Sequence, residues 1–465
     1  MQWSLSICIL SYVLAVTGLV SNNLLGRRSS RREMMRMSND ADGVREICII
    51  GGGFGGLYTA LKIEKEVKPE DKVKITLIDP KEKFVFMPLL YELSVGTATV
   101  MEVAPRYEQL LKDTSVEFIQ GSVESIDTDS CVVNIDGRSK AINFDYVVIA
   151  CGARPNMDII PGVKNHAISF YGVEDSYRLK TELRTLIDSD VDTVQISILG
   201  GGYSGVELAC SIADQMKVEN KKCEISLIDR NSRVMKTSPK FNQDTAEKQL
   251  ENVGIKKIMN TAVLEVSKNG LRLKPNNDEN SEAYEQSADL VLCALGTSQS
   301  PLLSKISPVL DLDAKSGRLL VDRSFQSVNT EKVFALGDCS VIEGVSLPST
   351  AQVAMQQADI TARNILVKLG LREGSGANAA YLEKFTYVPL GEMLTLGRVD
   401  AAISSLGGLL EIEGPLASLS RRLVYALRMP TRQQTATALV SSAVTGAITI
   451  ANTISSIRTN KDSAK

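Results

Sequence analysis

Residues Ile47-Cys48-Ile49-Ile50-Gly51-Gly52-Gly53-Phe54-Gly55-Gly56 carry an apolar, β-branched run into a G-x-G-x-x-G turn, and a helical pattern over 55–66 follows. Gly51, Gly53 and Gly56 divide the work. One makes the tight turn, one lets backbone approach a pyrophosphate, and one lets helix and strand touch, while the helix N-terminus offers positive potential to the phosphates. A strand-like VKITLI at 73–78 then ends in Asp79. It falls close to the ~20-residue distance at which an acid grips a ribose hydroxyl. The glycines alone say little. Strand 46–50, turn, helix, second strand and terminal acid together specify a βαβ dinucleotide-binding unit.

The chain repeats this device. Ile196-Ser197-Ile198-Leu199-Gly200-Gly201-Gly202-Tyr203-Ser204-Gly205 ends a predicted strand at 194–199, and CEISLI at 223–228 ends in Asp229 at nearly the same interval. Gly200, Gly202, Gly205 and Asp229 thus mirror Gly51, Gly53, Gly56 and Asp79. Two such sites in one chain are the minimum hardware for passing a hydride from a nicotinamide to a flavin. Asp229 favours NADH by bonding the 2′-hydroxyl. Arg230 and Arg233 follow it and could pair with a 2′-phosphate, so use of both NADH and NADPH is expected.

Three more apolar strands end in small-residue turns: 144–152 at Gly152, 288–296 at Gly296, and 333–338 at Gly337-Asp338. Their order implies an α/β protein with two Rossmann-like domains, a glutathione-reductase-like arrangement. The expected division is a flavin domain at 45–160 and 310–362, a nicotinamide domain inserted at 161–309, and a C-terminal region at 363–465. Segment 273–287 is polar and reads as a loop or hairpin tip.

At 465 residues, two or three domains are expected. A net charge of -3 gives no sign of a nucleic-acid partner. Eight cysteines are scattered without a C-x-x-C pair, so neither a zinc site nor an adjacent redox dithiol is indicated. His166 is the single histidine, expected in a surface loop, which argues against histidine acid–base chemistry or metal ligation. Residues 1–44 are expected to be a targeting region. Trp3–Val20 carries no charge and resembles a signal-peptide h-region, and the Arg- and Ser-rich stretch after it resembles a transit peptide. The combination fits import into a plastid bounded by extra membranes. A mitochondrial presequence and a retained membrane anchor are the alternatives.

With these residues in place, the chain from about 45 to about 455 resembles the type II NAD(P)H:quinone oxidoreductases. The segments CIIGGGFGGLYTAL, FVFMPLLYELSVG, ILGGGYSGVELA, VFALGDCS and LPSTAQVAMQQA carry the resemblance. The tail segments GEMLTLGRVDAAIS and EGPLASLSRRLVYALRMPT are similar to the plastid branch, which reduces prenylated naphthoquinones such as demethylphylloquinone and plastoquinone-type acceptors. The resemblance implies FAD as cofactor and NAD(P)H as donor. It places Gly51, Gly53, Gly56 and Asp79 at the ADP half of FAD, Asp338 at the ribityl chain, and Phe86, Pro88 and Leu89 beside the isoalloxazine. Gly200, Gly202, Gly205 and Asp229 would hold NAD(P)H, although the plastid branch often lacks an acid at the last position. Glu207 would sit near nicotinamide and flavin, and Ala351, Gln352, Gln356 and Gln357 would form the quinone end.

The chemistry implied needs stacked rings more than a catalytic base. Quinone reduction also consumes two protons. Glu207 is therefore a candidate proton relay, and Gln352 and Gln356, four apart on one helical face, are candidate donors to a quinone carbonyl. A structural role at the helix start or on a solvated face is the plainer reading of each. In the tail, Leu416, Leu419, Leu423 and Leu427 form a stripe with Arg421, Arg422, Arg428 and Arg432 nearby, a basic amphipathic pattern suited to anionic lipid. Uncharged residues 433–457 extend it, with a stripe of Val440, Val444, Ile448, Ala451 and Ile454. Peripheral docking on a membrane is expected, with core packing or a homodimer contact as the alternative. A disulfide reductase, a sulfide:quinone reductase using Cys151 and Cys339, and an NADH-binding regulatory flavoprotein are the competing functions.

Overall fold

The computed structural model describes residues 43–276, 280–306, 310–374 and 381–440. The expected targeting region up to residue 42 and the apolar stripe beyond Val440 lie outside them. Two five-stranded parallel sheets organise the chain. The first runs Val333–Ala335, Tyr146–Ile149, Arg45–Ile50, Val73–Asp79 and Glu117–Gln120. The second runs Lys256–Ile258, Lys222–Ile228, Thr193–Leu199, Leu290–Cys293 and Ile168–Ser169. Both sheets are covered on both faces, which is why their strands are near-continuous Ile, Val and Leu. Ile49, Leu77, Val147 and Phe334 are fully enclosed in the first, and Val194, Ile198 and Leu292 in the second.

Strand Val333–Ala335 follows the whole second sheet in sequence yet pairs with the first. The chain thus leaves the first sheet, builds the second and returns. The two crossings run side by side as the antiparallel strands Ala153–Pro155 and Thr297–Gln299. Strand Gly270–Pro275 pairs antiparallel with Tyr284–Ser287, the two ends of segment 273–287.

The long helix Ala351–Lys368 runs through the boundary expected at 362, because Val353, Ala358, Ile365 and Leu366 bury one continuous stripe. It lies beside the first nucleotide helix, Phe54–Glu66, and Lys62 bridges to Asp359 at 2.8 Å. Strands Glu392–Thr395, Ala401–Ser405 and Leu410–Glu413 form a small antiparallel sheet. Leu394, Leu396 and Ala402 join the core of the second sheet, while Phe385, Ala426 and Met429 join that of the first. The C-terminal region therefore spans both nucleotide units.

Candidate functional site

The two glycine turns show why each accepts only glycine at its closest contacts. A Cβ on Gly56 would lie 1.8 Å from the Gly51 carbonyl oxygen, and one on Gly205 would lie 1.8 Å from that of Gly200. Gly51 and Gly200 both adopt left-handed backbone, with φ of 101° and 106°. Gly53 and Gly202 differ in kind: an added Cβ would meet nothing within 4 Å. Gly152 and Gly296, at the ends of the neighbouring strands, also face open space. Each turn thus has a packed inner side and an empty outer side next to a helix N-terminus, a shape and potential that fit a pyrophosphate.

Each terminal acid braces its own turn. Gly52 N–H donates to Asp79 Oδ2 at 2.7 Å, and Gly201 N–H donates to Asp229 Oδ2 at 2.6 Å. The other oxygen of Asp79 accepts from Lys81 N–H at 2.8 Å, and that of Asp229 from the backbone and side chain of Asn231 at 2.7 and 2.8 Å. A carboxylate has acceptor capacity beyond two bonds, so a ribose hydroxyl can still be held. Burial holds the Asp79 carboxyl above its ordinary range, against the pull of its two backbone donors. Arg233 does not stand free for a phosphate, as the sequence suggested. Its Nε and Nη2 donate to Glu247 at 3.0 and 2.9 Å, and Nη2 also reaches Asp244 at 2.9 Å. Arg230 is exposed.

Glu207 lies in the first turns of helix Tyr203–Val218 but does not serve the helix terminus. Its carboxylate accepts from Thr395 N–H at 3.0 Å, on the C-terminal sheet. Burial pushes its pKa up to about 7, opposed by that hydrogen bond and by Arg421, and reinforced by Glu92. The surrounding cluster was not apparent in the sequence. Glu92 is buried and takes hydrogen bonds from Arg421 Nη2 at 2.6 Å and from Arg422 Nη2. Arg421 lies over the rings of Tyr91 and Tyr425, 5.9 and 5.2 Å from their centroids. The Tyr91 hydroxyl is hydrogen-bonded to the Thr395 hydroxyl. Arg421 Nε and Nη1 and Arg422 Nη1 are buried and find no acceptor among the described residues.

These arginines correct the expectation for the tail. Helix Pro415–Leu427 was expected to offer them to anionic lipid, yet Arg421 is 1% and Arg422 7% exposed. The carboxylate of Glu92 draws them inward, and the leucines turn outward instead: Leu416 is 38%, Leu419 50% and Leu427 36% exposed. A signal was available. The face opposite the leucines carries Ala417, Ser418, Val424 and Tyr425 beside the arginines, too apolar a set for a solvated side.

Gln352 and Gln356 share a face of helix Ala351–Lys368 and hold the segment at 387–391. Gln352 accepts from Tyr387 O–H at 2.7 Å and Leu390 N–H at 3.0 Å and donates to Gly391 O at 3.1 Å. Gln356 pairs with both backbone groups of Val388, at 2.9 and 3.1 Å. Each amide keeps one free N–H in this arrangement. Gln357 accepts from Gly337 N–H at 2.6 Å, fixing the turn that presents Asp338. Burial raises the Asp338 carboxyl, with Arg318 and Ser349 opposing. Ala351 opens the helix, capped by the Thr350 hydroxyl. Phe86 is buried against Phe54 and Tyr425 with centroids 5.4 and 5.6 Å apart, and Pro88 follows it in a short 3-10 turn. Tyr425 thus joins the Phe86 segment to the Arg421 cluster. His166 ends the short helix Val163–His166 and is exposed.

Comparison with known proteins accounts for this arrangement. Residues 45–358 match the family model of pyridine nucleotide-disulphide oxidoreductases. The chain is 37% identical to a demethylphylloquinone reductase of Synechocystis over 83% of its own length and 93% of the relative's. It is 33% identical to an alternative NAD(P)H-ubiquinone oxidoreductase, chloroplastic/mitochondrial, of Arabidopsis thaliana, over 83% and 78%. Among solved structures, NDH2 of Plasmodium falciparum in complex with NADH aligns with a TM-score of 0.76 at 18% identity, covering 86% of this chain and 98% of that one. A sulfide:quinone oxidoreductase of Aquifex aeolicus aligns at 0.69 and 19%, covering 83% and 92%, a likeness of fold. The chain belongs to the pyridine nucleotide-disulphide oxidoreductase family and, within it, to the type II NAD(P)H:quinone oxidoreductases.

Proposed function

We propose that the chain takes hydride from NADH and reduces a membrane prenylquinone of the demethylphylloquinone or plastoquinone kind. The cluster joining Glu207, Glu92, Arg421 and Arg422 carries this reading. It ties the helix of the second glycine turn to the C-terminal helix whose outer face is leucine. FAD, when bound, supplies the two-electron carrier between nicotinamide and quinone. Gly51, Gly53, Gly56, Asp79, Gly152, Gly337 and Asp338 would hold it, with Pro88 on the ring's side and Phe86 packed behind that segment. Gly200, Gly202, Gly205, Asp229 and Gly296 hold the nicotinamide nucleotide. Asp229 and the engagement of Arg233 with acids favour NADH over NADPH.

Glu207 holds a proton near neutrality and is the relay to the reduced quinone. The unpaired guanidinium N–H groups of Arg421 and Arg422 stabilise negative charge developing on quinone oxygen. Gln352 and Gln356 hold the 387–391 segment in place and keep a donor each for a quinone carbonyl. The flavin unit is 45–160 with 310–362, extended by the rest of the 351–368 helix, and the nicotinamide unit is 161–309.

Among the described residues no helix is long and apolar enough to cross a membrane. Docking is instead peripheral, on the outward leucines of 415–427 together with Leu406 and Leu409, which are 54% and 88% exposed on the adjoining turn. The chloroplastic/mitochondrial relative fits either organelle, and the likeness to a cyanobacterial enzyme supports the reading of a plastid membrane. The test compares the full chain with its Leu416→Glu/Leu419→Glu/Leu427→Glu variant. The variant is expected to stop sedimenting with anionic liposomes and to lose turnover with a long-chain quinone in the bilayer, while keeping turnover with a soluble short-chain quinone. Equal sedimentation of the two would remove the docking face. Failure of the full chain to oxidise NADH with any quinone would remove the enzymatic reading.

A further inference from the structure

The carboxyl ends of two neighbouring strands bring two thiols together beside the flavin cradle. Strands Tyr146–Ile149 and Val333–Ala335 are parallel, with Ile149 opposite Ala335. Cys151 follows the first strand by two residues, and Cys339 ends the Gly337–Cys339 turn that follows the second. Cys339 Sγ donates to Leu336 O at 3.2 Å and to Ile149 O at 3.4 Å. The Cys151 side chain is its neighbour across the two strand ends. Both are free cysteines.

The two are chemically unequal. Cys339 is fully enclosed, whereas Cys151 is partly exposed. The side chains of Cys339 first, and of Ser300, hold the Cys151 thiol below its ordinary range against burial, while the same contact and burial hold Cys339 well above. A partly exposed thiol more acidic than usual beside an enclosed partner is the arrangement of an attacking and a resolving cysteine. It stands apart from the helix of the first glycine turn, which carries no cysteine.

We propose that Cys151 and Cys339 form a reversible regulatory disulfide that clamps the Gly337–Cys339 turn, with a low-molecular-weight disulfide of the glutathione type as oxidant. The Cys151 thiolate attacks one sulfur of glutathione disulfide, forming a mixed disulfide and expelling one glutathione thiolate. The Cys339 sulfur then attacks the Cys151 sulfur and expels the second. Two protein thiols lose two electrons and their protons, and one glutathione disulfide becomes two glutathione thiols. A covalent S–S bond of ~2 Å is much shorter than any non-bonded approach of two sulfurs. Its formation draws Cys339 toward Cys151 and pulls on the turn that Gly337 N–H anchors to Gln357, carrying Asp338 with it. Oxidation therefore loosens the hold on FAD.

The experiment treats the purified holoenzyme with glutathione disulfide, alkylates remaining thiols, and maps peptides by mass while released flavin is followed by its fluorescence. A peptide linked through Cys151 and Cys339 is expected, with about tenfold weaker flavin retention, or ~1.4 kcal/mol, restored by dithiothreitol. Cys151→Ser and Cys339→Ala lose both the linked peptide and the response. Cys131→Ser, on a hairpin of the first unit, keeps both. Modification of Cys131 and Cys223 without a 151–339 link overturns the proposal. So does a link with unchanged flavin retention, or flavin loss that persists in Cys339→Ala.

Discussion

The two nucleotide turns are near copies in backbone and differ in their walls. Gly52 and Gly201 each donate to the terminal acid of the next strand, at 2.7 and 2.6 Å. The carbonyl of Gly52 accepts from the buried Tyr107 hydroxyl at 2.9 Å, and Phe118 stacks on that ring with centroids 4.5 Å apart. Phe54, Tyr58, Phe84 and Phe86 close the other side as one aromatic group. The carbonyl of Gly201 accepts from Met235 N–H at 2.7 Å in an irregular loop, and Tyr203, in the position of Phe54, hydrogen-bonds Glu392 on the C-terminal sheet. Packed aromatic walls suit a cofactor that stays, and polar contacts on loops suit one that leaves each cycle. On the proposed reading the same fingerprint serves a resident and a visiting nucleotide, and the surroundings decide which.

The largest effect comes from breaking each copy with the same substitution. Gly56→Ala and Gly205→Ala each push a Cβ to 1.8 Å from a backbone oxygen that cannot retreat, an overpacking cost of ~1–3 kcal/mol or more. Gly56→Ala is expected to purify with little flavin. Gly205→Ala should remain yellow, yet be bleached by NADH about 5–150-fold more slowly, the range that cost sets. Flavin-to-protein absorbance and anaerobic titration read the two outcomes. Equal flavin loss in both variants would show that the second turn does not act as a separate cradle.

That contrast also marks what was legible in the chain. Strands, turns and terminal acids could be read to within a residue or two, because a βαβ unit with a glycine turn is local: period, spacing and residue type all act within some thirty residues. The return of Val333–Ala335 to the first sheet followed from the same pattern. What could not be read was long-range. Glu92, Thr395 and Arg421 come from three distant segments, and although the apolar face around the arginines of 415–427 hints that they turn inward, no local period names the partner that takes them there. Buried Glu92 decides that, since a carboxylate out of water must be paired. The engagement of Arg233 was also unreadable: Asp244 and Glu247 come from the following helix, and a stretch rich in acids and bases does not reveal who pairs with whom.

Glu207 sharpens the comparison at the place where the second cradle touches the C-terminal sheet. Its folded pKa of about 7 lies above the ordinary 4.5. Between those values the folded chain keeps a proton that the unfolded chain releases, so stability falls as pH rises through that window and the contribution is gone above it. Glu207→Gln cannot ionise. Its melting temperature relative to the parent should therefore climb between about pH 5 and pH 8, by the equivalent of roughly 1–3 kcal/mol. In rapid mixing, quinone reduction by the parent should decline above neutral pH, and the variant should be slower and flat. A variant that parallels the parent in both measurements would mean that Glu207 neither titrates in this range nor relays the proton.

Tyr107→Phe tests the wall of the first cradle alone. It removes the hydroxyl that donates to Gly52 and leaves the ring stacked on Phe118, at a cost of ~1 kcal/mol. About fivefold weaker flavin retention is expected, with NADH oxidation by the remaining holoenzyme unchanged. A loss of NADH affinity with flavin intact would tie Tyr107 to the wrong cradle.

The smallest expected effect concerns the wall of the second cradle. On the proposed reading Asp229 opposes a 2′-phosphate, and Arg233, one of two nearby arginines able to meet one bidentately, is occupied by Glu247 and Asp244. These are surface ion pairs, worth ~0–1 kcal/mol, so releasing them cannot invert a preference set by a carboxylate. Asp244→Asn/Glu247→Gln should raise kcat/KM for NADPH a few-fold, lose that gain at high salt, and leave NADH and flavin content unaltered. Adding Asp229→Ala should multiply the gain, because the freed guanidinium then meets the phosphate without an opposing charge. If the double variant leaves NADPH use unchanged even in the Asp229→Ala background, Arg233 does not face the ribose, and nucleotide choice rests on Asp229 and the exposed Arg230.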